Sequence, residues 1–335
     1  MNFNDTVLVI GLGLIGKQRL DACLEFGIKP ENIYVLDANI TDSEFFNKSS
    51  YNEINFTQDL ETIFSKKFDW AVVSVPHIFA VELVISLLDK GTRVLMEKPL
   101  GRNIVEAEKI AEHFNAEKLS IGFNYRFMPG IIKLKANLDD SMLGDISTVR
   151  MELGHGGSPQ DKTSWKLDPL AAGGGVLLDP GIHLIDLLVY LFQATDHNLI
   201  LAGRTSWQGF WNTGIEESSS LVGYVGTIPF SISASIVAWR TRFKIEVIGT
   251  ERYFEIEGRG RSEGPQITIA GGKWGWLSAT SQRNSETQEQ LANRDNSLID
   301  ETFAWLSGFD TVCKIDQALT GMKIYDKILR LSNDN

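Results

Sequence analysis

The amino-acid sequence predicts an α/β protein, with a doubly wound parallel sheet in its N-terminal part and a second α/β domain built on a large, open and mostly antiparallel sheet. The chain has 335 residues, which suits two domains better than a single core. In residues 1–120, short β-branched runs alternate with helical patterns. From about residue 145 onward, strand-like runs instead follow one another across Gly and Pro turns.

The first domain is expected over residues 1–122. Its alternating pattern is typical of parallel strands joined by crossover helices. The predicted strands are Thr6–Ile10, Ile33–Leu36, Trp70–Val75, Val94–Met96 and Leu119–Gly122. The predicted helices are Ile15–Phe26, Asp59–Phe64, Phe79–Lys90 and Ile104–Phe114, with Gly91 as the C-terminal cap of the third.

The second domain is expected over residues 123–335. Runs rich in Val, Ile, Ser and Thr predict strands at Ser147–Gly154, Leu199–Ser206, Ser219–Gly226, Ser231–Trp239, Lys244–Ile248 and Tyr253–Glu257. The stretch from Gly271 to Gln290 is predicted to be a long polar connection. Two helices are predicted to close the chain near Asn296–Phe309 and Asp316–Leu331.

The charge and the residue usage exclude several classes of protein. A formal net charge of −11 argues against nucleic acid as a partner, since such surfaces gain affinity from clustered Lys and Arg. Cys23 and Cys313 form no C-x-x-C pair, so neither a disulfide framework nor a metal site is expected. No apolar run reaches the roughly 18 residues of a membrane helix, and no basic segment precedes the first strand. A cytoplasmic protein with no membrane partner is therefore expected.

A glycine-rich loop lies between the first predicted strand and the first predicted helix. Gly11, Gly13 and Gly16 have the G-x-G-x-x-G spacing of the dinucleotide-binding loop in a Rossmann domain. The first glycine permits a tight turn, the second lets the backbone approach a pyrophosphate, and the third lets the helix pack closely on the strand. A glycine turn without a ligand is the alternative, but position and spacing favour dinucleotide contacts by this loop, including Leu14 and Ile15.

The residue at the end of the second predicted strand indicates which dinucleotide binds. Asp37 lies 21 residues after Gly16, where a carboxylate accepts from the adenosine ribose 2′-hydroxyl. The same carboxylate would repel a 2′-phosphate, and the following residues 38–40 supply no Arg or Lys. NAD is therefore predicted over NADP, although Asp37 could instead be a turn residue after the strand.

Two further motifs carry ionisable side chains. Glu97, Lys98 and Pro99 follow the fourth predicted strand at the carboxyl edge of the sheet, where ligands bind in open α/β folds. Later, three glycines at 173–175 lead into a predicted helix with three ionisable side chains, namely Asp179, His183 and Asp186. If Asp179 and His183 are both helical, their spacing of four places them on one face. Asp186 is expected to be structural.

Together with the run Asn124-Tyr125-Arg126, these motifs resemble the Gfo/Idh/MocA family, named after glucose-fructose oxidoreductase, inositol dehydrogenase and a rhizopine-catabolism protein. The resemblance spans the whole chain. It implies a sugar, nucleotide sugar or cyclitol as substrate, an open sheet that forms the interface of a homodimer or homotetramer, and a final helix that packs back on the first domain. It also implies that Lys98, Asp179 and His183 form the catalytic triad.

These three residue types suit the oxidation of a secondary alcohol, in which a base takes the hydroxyl proton as hydride leaves the carbon. His183 is the preferred acid/base, because imidazole titrates near neutral pH. Lys98 would then stabilise the developing negative charge on the oxygen, and Asp179 would orient a substrate hydroxyl or the imidazole. A desolvated Lys98 could be the base instead, and the sequence leaves both roles open.

Further site residues follow from the same resemblance. Those expected near the cofactor are Ser74, Val75, Pro76, Glu97 and Asn124. Those expected near the substrate are Tyr125, Arg126 and Trp165, with Lys166 and Asp168 as further candidates on a loop that shapes the pocket. The chain departs from the family pattern P-x-x-x-H after the third strand, because His77 follows Pro76 directly.

Three functions are compatible with these features. The leading one is an NAD-dependent oxidoreductase acting on a secondary alcohol or ketone. The second is a redox-neutral glycoside hydrolase that uses tightly held NAD to oxidise its substrate transiently. The third is a sensor that binds the cofactor without catalysis, and against it stands the presence of Lys98, Asp179 and His183, which a binder does not need.

Overall fold

The computed structural model describes residues 4–39, 49–157, 164–272 and 286–331. In chain order its strands are β1 Val7–Ile10, β2 Ile33–Leu36, β3 Asn55–Thr57, β4 Trp70–Val73, β5 Arg93–Glu97, β6 Leu119–Gly122, β7 Ile146–Gly154, β8 Leu199–Trp207, β9 Ser218–Val225, β10 Ile228–Ser235, β11 Arg242–Gly249, β12 Arg252–Glu257, β13 Gln266–Gly272, β14 Thr287–Ala292 and β15 Cys313–Lys314. Its helices are α1 Leu14–Glu25, α2 Leu60–Phe64, α3 His77–Asp89, α4 Ile104–Ala111, α5 Pro129–Asp139, α6 Pro169–Ala172, α7 Ile182–Phe192, α8 Ser297–Ser307 and α9 Ile315–Arg330.

The chain divides into two compact units. The first unit comprises Met1–Asn124 and Leu298–Leu319, and the second comprises Tyr125–Ser297 and Thr320–Asn335. The expected domain bounds of 1–122 and 123–335 stay a prediction, as does the packing of the final helix. The two divisions differ chiefly in Leu298–Leu319, which groups with the N-terminal residues.

The first unit is built on a seven-stranded sheet with the order β3-β2-β1-β4-β5-β6-β15. Strands β1 to β6 are all parallel, and the short β15 pairs antiparallel with β6 at the edge. The strand order reverses direction between β1 and β4, which makes this pair the topological switch point where ligands bind in doubly wound folds. The four residues of β1 and the four of β4 are all buried, as the interior of such a sheet requires.

Local sequence sets the helix ends of the first unit. Asp59 begins α2 by accepting a hydrogen bond from the Glu61 N–H at 3.0 Å, and Asn103 begins α4 by accepting from the Glu106 N–H at 3.0 Å. Gly91 follows α3 with a φ of +74°, which confirms the predicted cap. From Leu298 onward, α8 also belongs to this unit, and its Trp305 packs edge-to-face on Trp70 with the ring centroids 5.1 Å apart.

The second unit is built on an eight-stranded sheet with the order β14-β13-β12-β11-β7-β10-β9-β8. Only β7 and β10 run parallel within it, and every other neighbouring pair is antiparallel. Buried and exposed side chains alternate along β9, which is typical of a sheet with one packed face. Both sheets confirm the predicted fold class.

The structure corrects several predicted elements. Thr287–Ala292 overlaps the end of the stretch predicted to be a polar connection, yet it forms β14. The composition was misleading because an exposed edge strand can be polar. Residues 273–285 of that stretch lie outside the described residues. The strand predicted at Ser231–Trp239 lies earlier, at Ile228–Ser235, because the chain turns away after pairing with β7 and β9. The elements β3, β13, β15, α5 and α6 were not predicted either.

Within the described ranges, no helix is both long enough and apolar enough to cross a membrane.

Candidate active site

The glycine loop begins directly after β1. Gly11 has a φ of +87° and donates its N–H to the Leu36 carbonyl at 2.9 Å. A Cβ at Gly11 would lie 2.4 Å from the Ser74 carbonyl oxygen, and a Cβ at Gly16 would lie 1.8 Å from the Gly11 carbonyl oxygen. Backbone therefore occupies the side-chain space at both positions, so only glycine fits there.

Gly13 differs from the other two glycines because no described atom lies within 4 Å of the position that its Cβ would take. It is the N-cap of α1. The first-turn N–H groups of a helix attract anions, and a glycine with open space beside it lets a ligand approach the backbone. The loop therefore fits a dinucleotide pyrophosphate at this helix end, with Leu14 and Ile15 in the first turn of the helix.

The open space at Gly13 and the crowded space at Gly16 predict different effects for the two alanine variants. Gly16→Ala is expected to lower the free energy of unfolding by ~1–3 kcal/mol, because the added methyl group would overlap the Gly11 carbonyl. Gly13→Ala is expected to change it by less than about 1 kcal/mol, the cost of a poorer N-cap, while weakening the binding of NADH. Urea unfolding and fluorescence titration with NADH measure the two effects. Equal loss of stability in both variants would contradict this geometry.

Asp37 follows the carboxyl end of β2 and lies against the glycine loop. Its Oδ2 accepts from the Leu12 N–H at 2.6 Å, and its Oδ1 accepts from the Asn39 N–H at 2.8 Å. Two backbone donors thus fix the orientation of the carboxylate beside the loop, and each oxygen keeps a lone pair for a hydroxyl. This placement fits the predicted ribose contact.

Ser74 follows β4 on the other side of the switch point, and its N–H donates to the Ile10 carbonyl at 2.8 Å. Its buried Oγ has no hydrogen-bond partner among the described residues. A buried hydroxyl without a partner is uncommon in folded proteins, so a bound group is a natural acceptor or donor for it. Val75 and Pro76 follow it, and Pro76 is the residue that precedes α3.

The predicted cofactor residues therefore share one edge of the sheet. Each lies at the carboxyl end of its own strand or just after it, and the strands β2, β1, β4, β5 and β6 are neighbours in that order. The residues at these ends are Asp37, Gly11, Ser74, Glu97 and Asn124. Their common edge is the one that binds dinucleotides in doubly wound folds.

Glu97 has a protein partner that the sequence did not predict. Its Oε1 accepts from Arg19 of α1, at 2.9 Å from Nε and 2.7 Å from Nη2. Arg19 is fully buried and also binds Glu301 of α8, at 2.6 Å. Burial alone would lower the pKa of Arg19, but the two carboxylates outweigh it and raise that pKa. Glu97, predicted near the cofactor, thus holds a buried arginine just before the half-buried Lys98.

In the second unit, the predicted helix begins later than the sequence suggested. Helix α7 starts at Ile182, so Asp179 lies in the preceding turn and the two residues do not share a helical face. The shared face was expected only if both residues were helical, and this condition is not met, because Pro180 and Gly181 separate Asp179 from the first helical turn. The side chain of Asp179 is 11% exposed and pairs with Lys166 at 2.9 Å.

His183 lies in the first turn of α7, where it is 5% exposed. Its imidazole stacks on the phenol ring of Tyr125, with the centroids 3.9 Å apart and the planes 7° from parallel. The next residue, Arg126, binds Asp186 through Nε and Nη2 at 2.9 and 2.6 Å. Both members of that pair are 2% exposed at the side chain. Tyr125 and Arg126, which were predicted near the substrate, thus contact side chains of α7.

The remaining predicted contacts lie on the loop after β7. Trp165 is half-buried, and the Lys166 ammonium lies 5.9 Å from its ring centroid. Asp168 caps the short helix α6 by accepting from the Leu170 N–H at 2.9 Å. Residues 158–163 of this loop lie outside the described residues. Lys98 belongs to the first unit, whereas Asp179 and His183 belong to the second, so the assembly of the triad stays a prediction.

Comparison with known families agrees with this architecture. The NAD-binding Rossmann-fold domain of the Gfo/Idh/MocA oxidoreductase family matches residues 6–125, and the Gfo/Idh/MocA C-terminal domain matches residues 131–255. The chain belongs to the Gfo/Idh/MocA family of oxidoreductases.

Among curated relatives, the chain is similar to glucose-6-phosphate 3-dehydrogenase of Bacillus subtilis (strain 168), with 30% identity over 192 residues that cover 56% of this chain and 53% of the relative. It is also similar to trans-1,2-dihydrobenzene-1,2-diol dehydrogenase of Xenopus tropicalis, with 27% identity over 194 residues that cover 56% and 53% of the two chains. The chain thus spans about half the length of the curated relatives it matches.

Solved structures share the fold over nearly the full length. Levoglucosan dehydrogenase in complex with NADH has a TM-score of 0.78 at 17% identity, covering 98% of this chain and 96% of the other. A variant of KijD10, a 3-ketoreductase from Actinomadura kijaniata in complex with TDP-benzene and NADP, has a TM-score of 0.76 at 16% identity and covers 97% of both chains. The two neighbours hold different nicotinamide cofactors.

Proposed function

We propose that this protein is an NAD-dependent oxidoreductase that transfers a hydride to or from a secondary alcohol or ketone of a sugar, nucleotide sugar or cyclitol. The observation that supports this most is the loop of Gly11, Gly13 and Gly16 at the switch point, with the Asp37 carboxylate held against it. Membership of an oxidoreductase family whose named relatives include sugar dehydrogenases supports the substrate class.

In this reaction, the side chains of the protein have to transfer one proton and stabilise the charge that develops on the substrate oxygen. NAD, when bound, accepts the hydride from the substrate carbon. In the direction of oxidation, the His183 imidazole takes the hydroxyl proton, and the Lys98 ammonium donates a hydrogen bond to the same oxygen as its charge develops. Asp179 orients a substrate hydroxyl. If Lys98 is instead the proton carrier, the two residues exchange roles and the balance of protons is unchanged.

The choice between NAD and NADP can be tested at Asp37. Asp37→Ser is expected to weaken NADH binding by about 10–100-fold, the loss of a hydrogen bond to a charged group, and to strengthen NADPH binding as repulsion of the 2′-phosphate disappears. Fluorescence titration with both cofactors measures this. Glu112→Gln, which removes an exposed carboxylate in the same unit, serves as the control for net charge. An unchanged ratio of the two affinities in Asp37→Ser would rule out the proposed preference.

The activity itself is tested by the absorbance at 340 nm with NAD and with NADP, against a panel of polyols, aldoses, nucleotide sugars and cyclitols. We expect reduction of NAD with at least one class of the panel. Reduction with NADP alone would overturn the cofactor assignment, and no turnover with any member would overturn the activity.

A homodimer or homotetramer stays a prediction, supported by apolar side chains on the uncovered face of the second sheet. Ile200 of β8 lies opposite Tyr224 of β9, and both are exposed, as is Val222 two residues away. Exposed apolar patches of this kind are typical of subunit interfaces. The cytoplasmic location likewise stays a prediction.

A further inference from the structure

We propose that Tyr125 and Arg259 are positioning residues that hold the imidazole plane of His183, with Arg259 fixing the phenol of Tyr125 and the phenol ring fixing the imidazole. This inference rests on the proposed function, in which His183 contacts the substrate oxygen. In this proposal, neither Tyr125 nor Arg259 contacts the reacting atoms.

The first support is the way the turn that carries Tyr125 and Arg126 lies on α7. His183, Asp186 and Tyr190 are spaced by three and then four residues, so they share one face of the helix. Tyr125 covers His183, while Arg126 binds Asp186 and places its guanidinium carbon 4.7 Å from the Tyr190 ring centroid. Two consecutive residues therefore occupy two successive turns of the helix, which sets the register between the turn and α7.

The second support is the geometry of the stack itself. The phenol and imidazole rings overlap face to face, with 3.9 Å between centroids and 7° between planes. A ring stacked on one face keeps both nitrogens in a plane parallel to its neighbour, so tilting of the imidazole about χ2 would break the stack. A proton carrier benefits from such a constraint, because its nitrogen has to lie in line with the substrate hydroxyl.

The third support is the anchoring of Tyr125. Arg259, on the loop after β12, donates from Nη1 to the phenol oxygen and from Nε to Glu263. Arg259 and Glu263 are almost buried, with 11% and 4% of their side chains exposed, so the pair is shielded from solvent. Phe243 of β11 packs edge-to-face with the phenol ring, with centroids 5.6 Å apart. The phenol is thus held at its oxygen and by a second aromatic ring.

The loop that carries Arg259 is shaped for this contact. Gly258 has a φ of +72°, and a Cβ there would lie 2.3 Å from the Pro265 carbonyl oxygen. The loop therefore closes tightly and presents Arg259 at a fixed place. Burial raises the pKa of the Tyr125 phenol more than the nearby Arg259 lowers it, so the phenol is neutral and its oxygen accepts from the guanidinium.

The test combines a structural and a kinetic measurement on the whole 335-residue chain. Proton NMR of the imidazole signals reports the stack, since an aromatic ring lying face to face with the imidazole shifts these signals upfield. The chain has five histidines, and the His183 signals are assigned as those missing from the spectrum of His183→Gln. Kinetics with NAD and the best panel substrate give kcat and KM. The variants are Tyr125→Phe, Tyr125→Leu, Arg259→Met and the double variant Tyr125→Phe with Arg259→Met. Phe114→Leu, which removes an exposed aromatic ring stacked on a different histidine, His113 of the first unit, is the matched control.

The expected results separate the ring from its anchor. Tyr125→Leu is expected to lose the upfield shift of His183 and to lower kcat at least tenfold, with KM for NAD within twofold of wild type. Tyr125→Phe and Arg259→Met are each expected to keep the stack and lower kcat about threefold. The double variant should be no worse than either single variant, because both break one link. Phe114→Leu should leave the His183 signals and kcat unchanged.

Three outcomes would overturn the inference. An unshifted His183 signal in Tyr125→Leu would show that the rings do not stack. A lost shift with an unchanged kcat would show that the stack is only structural, while the proposed function stands. Absence of turnover in the wild type would overturn the proposed function and the positioning role with it, and the NMR result would still report whether the rings stack.

Discussion

Lys98→Ala and His183→Ala are each expected to lower kcat by about 10²–10⁴-fold while NADH binding stays close to that of the wild type. General acid–base catalysis by a positioned side chain contributes factors of this size, and so does the loss of a donor to a developing oxyanion. The cofactor affinity is expected to persist because the glycine loop and Asp37 lie outside both substitutions. Steady-state kinetics and fluorescence titration of the same preparations measure the two quantities.

Two exposed residues supply the matched controls. Lys67→Ala removes an exposed lysine of the first unit, and His197→Ala removes a histidine whose side chain is 92% exposed in the second. Both controls are expected to retain wild-type kcat. If either Lys98→Ala or His183→Ala kept more than about a tenth of the wild-type rate, far above the loss expected of a catalytic group, that residue would not be part of the proton-transfer machinery.

Arg19→Met is expected to lower the free energy of unfolding by about 3–5 kcal/mol, the usual cost of removing one partner from a buried ion pair. The arginine joins Glu97 of β5 and Glu301 of α8, and it also donates to the Thr302 hydroxyl at 2.9 Å and the Leu298 carbonyl at 3.1 Å. Removing it takes a positive charge away from the buried Glu301 and the partly buried Glu97, next to the segment that carries Lys98.

Urea unfolding in the presence and absence of NADH measures this loss. Arg93→Met is the control, because Arg93 is exposed in the same unit and is expected to cost less than about 1 kcal/mol. Adding Glu301→Gln to Arg19→Met should restore part of the stability, since it removes one of the two carboxylate charges that Arg19 balances. A loss in Arg19→Met no larger than in Arg93→Met would contradict the structural role of this cluster.

The cofactor half of the site could be predicted because its information is local. Gly11, Gly13 and Gly16 lie within six residues, and the constraints that require glycine at two of them come from the adjoining strand and helix. Asp37 follows its strand at a regular distance from the loop. Parallel strands bring such residues to one edge of the sheet, so strand order and local spacing together place them.

The other contacts depend on residues far apart in the chain. Arg19 meets Glu97 at a separation of 78 residues and Glu301 at 282, and Arg259 meets Tyr125 at a separation of 134. No periodicity reports such pairs. A single arginine in the otherwise apolar face of α1 was the one signal that a buried partner exists for it. The misplacement of Asp179 has a local cause, because the spacing of four assumed a helix that Pro180 and Gly181 delay.

The same distinction applies to the secondary structure. Strands buried on both faces, such as β1 and β4, are continuous apolar runs and were predicted to within two residues at each end. The strand β14 has the sequence Thr-Gln-Glu-Gln-Leu-Ala at an exposed edge of the second sheet. Pairing with β13 alone makes it a strand, and its composition does not reveal that partner.

Hydride transfer is tested most directly by following a panel substrate that carries deuterium on its carbinol carbon. The number of NADH molecules formed per substrate consumed, with the mass of that NADH, gives the result. We expect one NADH per substrate, containing the deuterium. Consumption of a glycoside with no net NADH would indicate a redox-neutral hydrolase, and tight NAD binding with no consumption of any panel member would indicate a sensor; either result would contradict the proposed dehydrogenase.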